Sequence, residues 1–256
     1  MQPLVTVVTA TTGNPLVKDT INSVIKQTYK NVQHLIFVDG EHSWDNFYSH
    51  HMKTLTPAVG FRQNIIRLPY SVGKDRFNGH RMYGAGTFIA DGDYIMFLDD
   101  DNFIEPTHIE ECLNAVQGNQ WCFSFRKIVD KQRNFICNDD CESLGLWPSV
   151  LHMDDYFVDV NCFFLSKYAS LLISPVWYRK FREPGVMEID RAIMQALRSA
   201  NTKYTCTKNY TVNYTVGNTE NSVKADFFIK GNQMMLERYG GDLPWKRKGE
   251  EYTITF

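Results

Sequence analysis

The sequence predicts an α/β fold: a mostly parallel central sheet flanked by helices. Three observations lead there. The chain opens on a β-branched apolar run, an amphipathic stretch and a second apolar run, in strand–helix–strand order. A later apolar run, Tyr94 to Leu98, follows an Asp91-Gly92-Asp93 turn and leads straight into Asp99, Asp100 and Asp101. The 256 residues, 43% hydrophobic and 22% charged, suffice for one large globular domain.

Taken in order, Leu4 to Thr9 reads as a buried first strand. Asn14-Pro15 marks a helix start, and Val17, Ile21, Val24, Ile25 and Thr28 recur at helical spacing to about Tyr29. His34 to Val38 is the second strand, ending in Asp39-Gly40, and such a unit is parallel and right-handed. Glu41 to Gly60 is a polar, aromatic-rich surface segment with room for a short helix; His50 and His51, being adjacent, point to different sides. Asn64 to Leu68 is a third strand. Ser71 to Asp91 is broken by Gly73, Gly79, Gly84 and Gly86 and places Lys74, Arg76 and Arg81 beside the acidic cluster.

Beyond the acids, Pro106 starts a helix to about Val116. Trp121 to Val129 and Asn134 to Cys137 form a hairpin, and Asn138 to Asp155 is irregular. Phe157 to Leu165 reads as a strand, with Asp159 alternating among apolar neighbours, followed by a helix holding Tyr168, Leu171 and Leu172. Ile189, Ile193, Ala196 and Leu197 define another helix, whose first turn holds Glu188 and Asp190, where the helix dipole favours negative charge. Tyr204 to Cys206 and Tyr210 to Val216 are two strands, and Ala225 to Tyr239 is a closing helix stopped by Gly240-Gly241. The tail carries Lys246, Arg247 and Lys248 and suits an edge strand, a dimer contact or a weak membrane-surface patch.

Composition narrows the function. A net charge of −2 leaves no nucleic-acid footprint. No apolar run reaches the length of a transmembrane span and no basic, apolar leader opens the chain, so a cytoplasmic protein is expected. The six cysteines suit free thiols in a reducing compartment, and the sequons at Asn209 and Asn213 have no secretory route to give them meaning. No G-x-G-x-x-G follows the first strand, which disfavours a dinucleotide-dependent dehydrogenase. Oligomeric state is left open.

In an open α/β sheet, ligands bind beyond the carboxyl ends of the strands, where Asp99, Asp100 and Asp101 fall. In an extended segment Asp99 and Asp101 point the same way, and a cation between them relieves their repulsion. Oxygen-only ligands suit Mn²⁺ or Mg²⁺. A solvated acidic turn is the alternative.

The run GDYIMFLDDDN, with the opening VTVVTATTGNPLVKDTINSVIKQTYKNVQHLIFVDG, resembles the GT-A fold nucleotide-sugar glycosyltransferases, family 2 in particular. The resemblance implies a single GT-A domain over residues 1–256. A Rossmann-like nucleotide-sugar half would span 1–106, an acceptor half with a mixed sheet 107–224, and a C-terminal helix and tail 225–256. It places the donor against Thr9, Ala10, Thr11, Asp39, Lys74, Arg81, Asp99 and Asp100, and the metal on Asp99 and Asp101. Asp39 would meet the base, and Lys74 or Arg81 would neutralise the diphosphate, since the family's Ala-Arg-Asn-x-Gly is replaced here by Met82-Tyr83-Gly84-Ala85-Gly86. Asp190, with Glu188 next and Asp154, Asp155 or Asp159 behind, would be the catalytic base. The late histidine that many members give to the metal is missing, since none follows His152; water, Glu220 or Asp226 would replace it.

The implied function is metal-dependent transfer, with inversion, from a nucleotide-diphosphate donor, a UDP-sugar favoured, to an acceptor hydroxyl on a glycan. The alternatives are a non-catalytic nucleotide- or glycan-binding protein that retains the fold, and a sugar-nucleotide pyrophosphorylase. A phosphatase with an Asp-x-Asp nucleophile would carry that motif after its first strand, which this chain does not.

Overall fold

The computed structural model describes residues 2–52, 61–75, 77–179, 189–218 and 222–247. Its first half contains β1 (Val5–Thr11), α1 (Val17–Ile25), β2 (Val32–Val38), α2 (Glu41–Phe47), β3 (Arg62–Arg67), α3 (His80–Ile89) and β4 (Tyr94–Phe97). The second half adds β5 (Phe103–Ile104), α4 (His108–Ala115), β6 (Trp121–Val129), β7 (Phe135–Asn138), β8 (Phe163–Ser166), α5 (Lys167–Ile173), α6 (Ile189–Ser199), β9 (Tyr204–Thr215) and α7 (Ala225–Arg238). The nine strands form one sheet ordered β3-β2-β1-β4-β8-β6-β9-β5, with β7 on β6.

The pairs β3–β2, β2–β1 and β1–β4 are parallel. Beyond β4 the sheet is mixed: β8 runs antiparallel to β4 and β6, β5 antiparallel to β9, and β6 parallel to β9. A parallel part continued by a mixed part is what the expected fold class requires, and here both belong to one sheet. Every residue of β1 and β2 is buried, because helices cover the parallel sheet. Val17 and Ile21 of α1 pack with Phe47 of α2 on Ile36 and Val38 of β2. α3 packs on β1, where a Cβ on Gly86 would fall 2.7 Å from Val8 Cγ1, so the close approach requires glycine. In the second half, Trp121 of β6 stacks on Tyr204 of β9 at 4.1 Å with their planes 3° apart.

Several expected boundaries move. Phe157 to Leu165 is not one strand: Asp159 accepts from the Asn161 amide and caps a 3₁₀ turn, Val160–Cys162, so pairing begins at Phe163. A side chain that bonds its own backbone competes with the ladder. The two late strands are one, β9; its register against β6 slips on either side of Phe125, and Lys208 at φ 59° absorbs the irregularity as a bulge. α1 ends four residues early because Thr28 N–H turns to Pro106 O at 2.8 Å. β5 was not foreseen, since two residues become a strand only through pairing with β9.

All six cysteines are free thiols, four of them buried. Among the described residues no helix is long and apolar enough to cross a membrane. The tail beyond residue 247 lies outside the described residues, while Trp245 and Lys246 both donate to Asp140.

Candidate active site

β1 pairs with β2 on one side and β4 on the other, so the strand order reverses between β1 and β4. A cleft of about 730 Å³ opens at that point, beyond the carboxyl ends of the parallel strands. Ala10, Thr11, Asp39 and Asp99 to Asp101 line it from the strand ends. Lys74, Asn78, Gly79 and His80 line it where α3 begins, and Asp159, Asp190 and Tyr214 close the far side.

The three acids do not lie along an extended segment, which corrects the same-facing pair expected of Asp99 and Asp101. Asn102 N–H bonds Asp99 O at 3.2 Å, so the chain turns through Asp100 and Asp101. Asp99 is clamped on both oxygens, by the Tyr83 hydroxyl and by Asn161 Nδ2 at 2.8 Å, while its own N–H donates to Asn161 Oδ1 at 2.7 Å. Asp100 accepts from Thr11 Oγ1 at 2.6 Å. Asp101 accepts from Asn218 Nδ2 at 2.7 Å. These partners are neutral hydroxyls and amides, so burial dominates and raises all three carboxyls, Asp100 to about 6 and Asp101 to about 7. Their mutual repulsion adds to the shift at Asp100 and Asp101.

Asp39 is buried and accepts from Ser71 Oγ at 2.8 Å, Val72 N at 2.7 Å and Gly73 N at 3.0 Å. Three of its roughly four acceptor positions therefore hold the 71–73 loop, leaving about one for a ligand. Lys74 is exposed and lines the cleft. Arg81 does not: its guanidinium lies 3.4 Å from the centre of the Phe77 ring and donates to Val72 O. Thr9 is also turned away, its hydroxyl bonded to buried His34 at 3.0 Å. His80, which the sequence did not single out, sits at the start of α3 on the cleft wall; burial pushes its imidazole down to about 4, so it is neutral at pH 7.

On the far side, Asp190 lies in the first turn of α6 and lines the cleft. Glu188 falls outside the described residues. Asp155 is held by Arg191 at 2.9 and 3.0 Å and its carboxyl is lowered, and Asp154 is exposed away from the cleft lining. Asp159 bonds Arg126 Nη1, and Arg126, only 2% exposed, also reaches Asp139 at 2.7 Å and Glu142 at 2.8 Å. Glu142 bridges on to Arg191 at 3.4 Å. Burial raises the Glu142 carboxyl to about 7 against the pull of Arg126. Through Arg191, the residue after Asp190, this charged lattice ties the first turn of α6 to Glu142 and Asp155.

The sequence profile of Glycosyl transferase family 2 matches residues 6–140, more than half of the chain. The chain belongs to glycosyl transferase family 2. Solved structures agree in fold. The S. aureus TarS 1-349 structure in complex with UDP-GlcNAc aligns with a TM-score of 0.57 and 12% identity, over 85% of this chain and 60% of that one. The same fragment in complex with UDP gives 0.56 and 11% over 93% and 72%, and the longer TarS structure gives 0.56 and 11% over 95% and 44%. Against the first and the last of these, the chain spans less than two thirds of the solved length. A search of curated proteins found no sequence match.

Against the family 2 pattern, the divalent cation can be tested on the donor set. Among the described residues no three Asp, Glu, His or Cys side chains gather into a metal site. An Mg²⁺-like ion nevertheless suits one or two carboxylates, completed by water and substrate phosphates. Asp101, held by Asn218 and with a carboxyl raised by burial and then by Asp99 and Asp100, fits that role. Where the family often supplies a late histidine, this chain brings Asn218 to Asp101. Asp226, one expected substitute, is 78% exposed on α7 beside Lys230, and Glu220 lies outside the described residues.

Proposed function

We propose that the chain is a metal-dependent, inverting glycosyltransferase that moves a sugar from a nucleotide-diphosphate donor, a UDP-sugar favoured, to an acceptor hydroxyl of a glycan. One observation carries the reading: a family 2 chain opens a cleft at its strand-order switch, with the acid triplet on one wall and Asp190 on another. The UDP and UDP-GlcNAc in the TarS structures support the choice of base.

Ala10, Thr11 and the Asp39 carboxylate hold the nucleoside, and Lys74 with the start of α3 faces the diphosphate. Asp101, steadied by Asn218 and with Asp99 behind it, would hold the cation, which when bound supplies a Lewis acid for the leaving diphosphate. Asp190 takes the proton of the acceptor hydroxyl. The hydroxyl oxygen bonds to the anomeric carbon as the bond from that carbon to the phosphate oxygen breaks, and the electron pair leaves with the nucleoside diphosphate. A single displacement inverts the centre.

The test is a thermal-shift panel of UDP, GDP, dTDP and CMP, each with and without Mn²⁺. The expected result is a metal-dependent shift with UDP, about 2.7 kcal/mol at 100 times its dissociation constant. No shift with any of the four would overturn the reading in favour of a non-catalytic relative.

A further inference from the structure

A second cavity of about 210 Å³ opens beyond Asp190 and shares Asp159, Asp190, Tyr214 and Val223 with the donor cleft. We propose that this cavity is the acceptor subsite and that it takes a neutral sugar ring, rejecting phosphorylated and uronic-acid acceptors. The inference rests on the glycosyltransferase reading above.

Position comes first. Asp190 lines both spaces, so a hydroxyl of a molecule seated in the smaller one lies next to the candidate base and faces the donor. Size comes second. The volume holds about seven waters at about 30 Å³ each, enough for one sugar ring.

Charge decides the class. Arg126 and Arg191 are the cations that line the cavity among the described residues. Arg126 spends Nε, Nη1 and Nη2 on three different carboxylates. Arg191 spends Nε and Nη2 on Asp155 and reaches Glu142 as well. With Asp190, five carboxylates surround two guanidiniums, so an entering anion meets excess negative charge and, among the described residues, only cations already paired with carboxylates. A neutral ring instead donates its hydroxyls to Glu142 and Asp190 and lays its C–H face on Leu151, Val223 and Phe227. Leu151 and Val223 are 50% and 41% exposed, an apolar rim that a ligand would cover.

The experiment is saturation-transfer NMR on the whole chain with UDP and diamagnetic Mg²⁺. Methyl β-glucoside, methyl β-galactoside and methyl N-acetyl-β-glucosaminide are compared with glucose 6-phosphate and glucuronate. At least one neutral glycoside is expected to bind, with the two anions about tenfold weaker or silent. Phe227→Ala should abolish the glycoside signal and leave that of UDP, which also reports that the variant is folded. Leu151→Arg, at an exposed position, should admit glucose 6-phosphate. The proposal is overturned if either anion binds as tightly as the neutral glycosides, if none of the glycosides binds, or if Phe227→Ala leaves their signal intact. Loss of the UDP signal alone, with glycoside binding retained, would strike the nucleotide-donor reading and not this one.

Discussion

Asp101→Asn should make the unliganded protein more stable at pH 8 while abolishing metal-dependent nucleotide binding. The Asp101 carboxyl is raised from 3.8 to about 7, chiefly by burial and then by Asp99 and Asp100. The folded chain therefore holds a proton that the unfolded chain has released, and this favours folding fully only below about pH 4. The contribution is lost as pH rises through about 7. At about 1.36 kcal/mol per pKa unit the whole interval bounds the cost at about 4 kcal/mol. Half of that bound is about 2 kcal/mol, or about 4–8 °C in the midpoint of a chain this size. Asparagine keeps the shape, carries no charge and relieves Asp99 and Asp100 as well. The assay is thermal unfolding of both proteins from pH 5 to pH 8, with and without Mn²⁺ and UDP. The variant's midpoint should already lie above the wild type's at pH 5, by somewhat under half of the final gap, and the gap should widen up to about pH 7 and stay constant to pH 8, while only the wild type should gain from Mn²⁺ and UDP. Parallel pH profiles would refute the buried, repelled carboxylate; full metal-dependent binding by the variant would refute its role at the cation.

Other outcomes follow from the same geometry. Asp190→Asn should keep the UDP shift and lower turnover by about 10²–10⁴-fold, the range for loss of a general base; steady-state kinetics beside the thermal shift would check it. Arg126→Leu strands Asp139 and Asp159, leaves Glu142 with Arg191 alone, and should cost about 3–5 kcal/mol in chemical denaturation; a loss under 1 kcal/mol would mean the buried lattice contributes little to the fold. Gly73→Ala would place a Cβ 2.5 Å from Asn78 O and 2.8 Å from Asp39 Oδ2, so titration should show weakened UDP binding, with the core little changed. Tyr83→Phe removes one of the two side-chain donors to Asp99 and should cost about 1–3 kcal/mol of stability.

Much of the fold could be read directly. Continuous apolar runs identified β1, β2 and β4 because parallel strands buried on both faces need no polar alternation. The helical spacing of Val17, Ile21 and Val24 identified α1, and the Asn14 carbonyl and side chain do bond the start of that helix. Asp99, Asp100 and Asp101 stood out because three adjacent acids directly after a buried strand are uncommon in a solvated turn, whereas Asp190, in a first helical turn where negative charge is favoured anyway, took its candidate role from the family resemblance alone.

What the sequence concealed depends on partners far away in the chain. Arg81 and Lys74 look alike as basic residues in one loop, and only the Phe77 ring, drawing the guanidinium aside, separates them. Asp39 reads as a free acceptor until the 71–73 loop folds onto it. The Asn161–Asp99 contact spans 62 residues, the Asn218–Asp101 contact 117, and the Arg126 lattice joins residues from 126 to 159. Local pattern specifies which segments are strands and helices, because that depends on periodicity along the chain. Which acids face the ligand and which are consumed by neighbours depends on pairing across the sheet, and only the tertiary structure decides it.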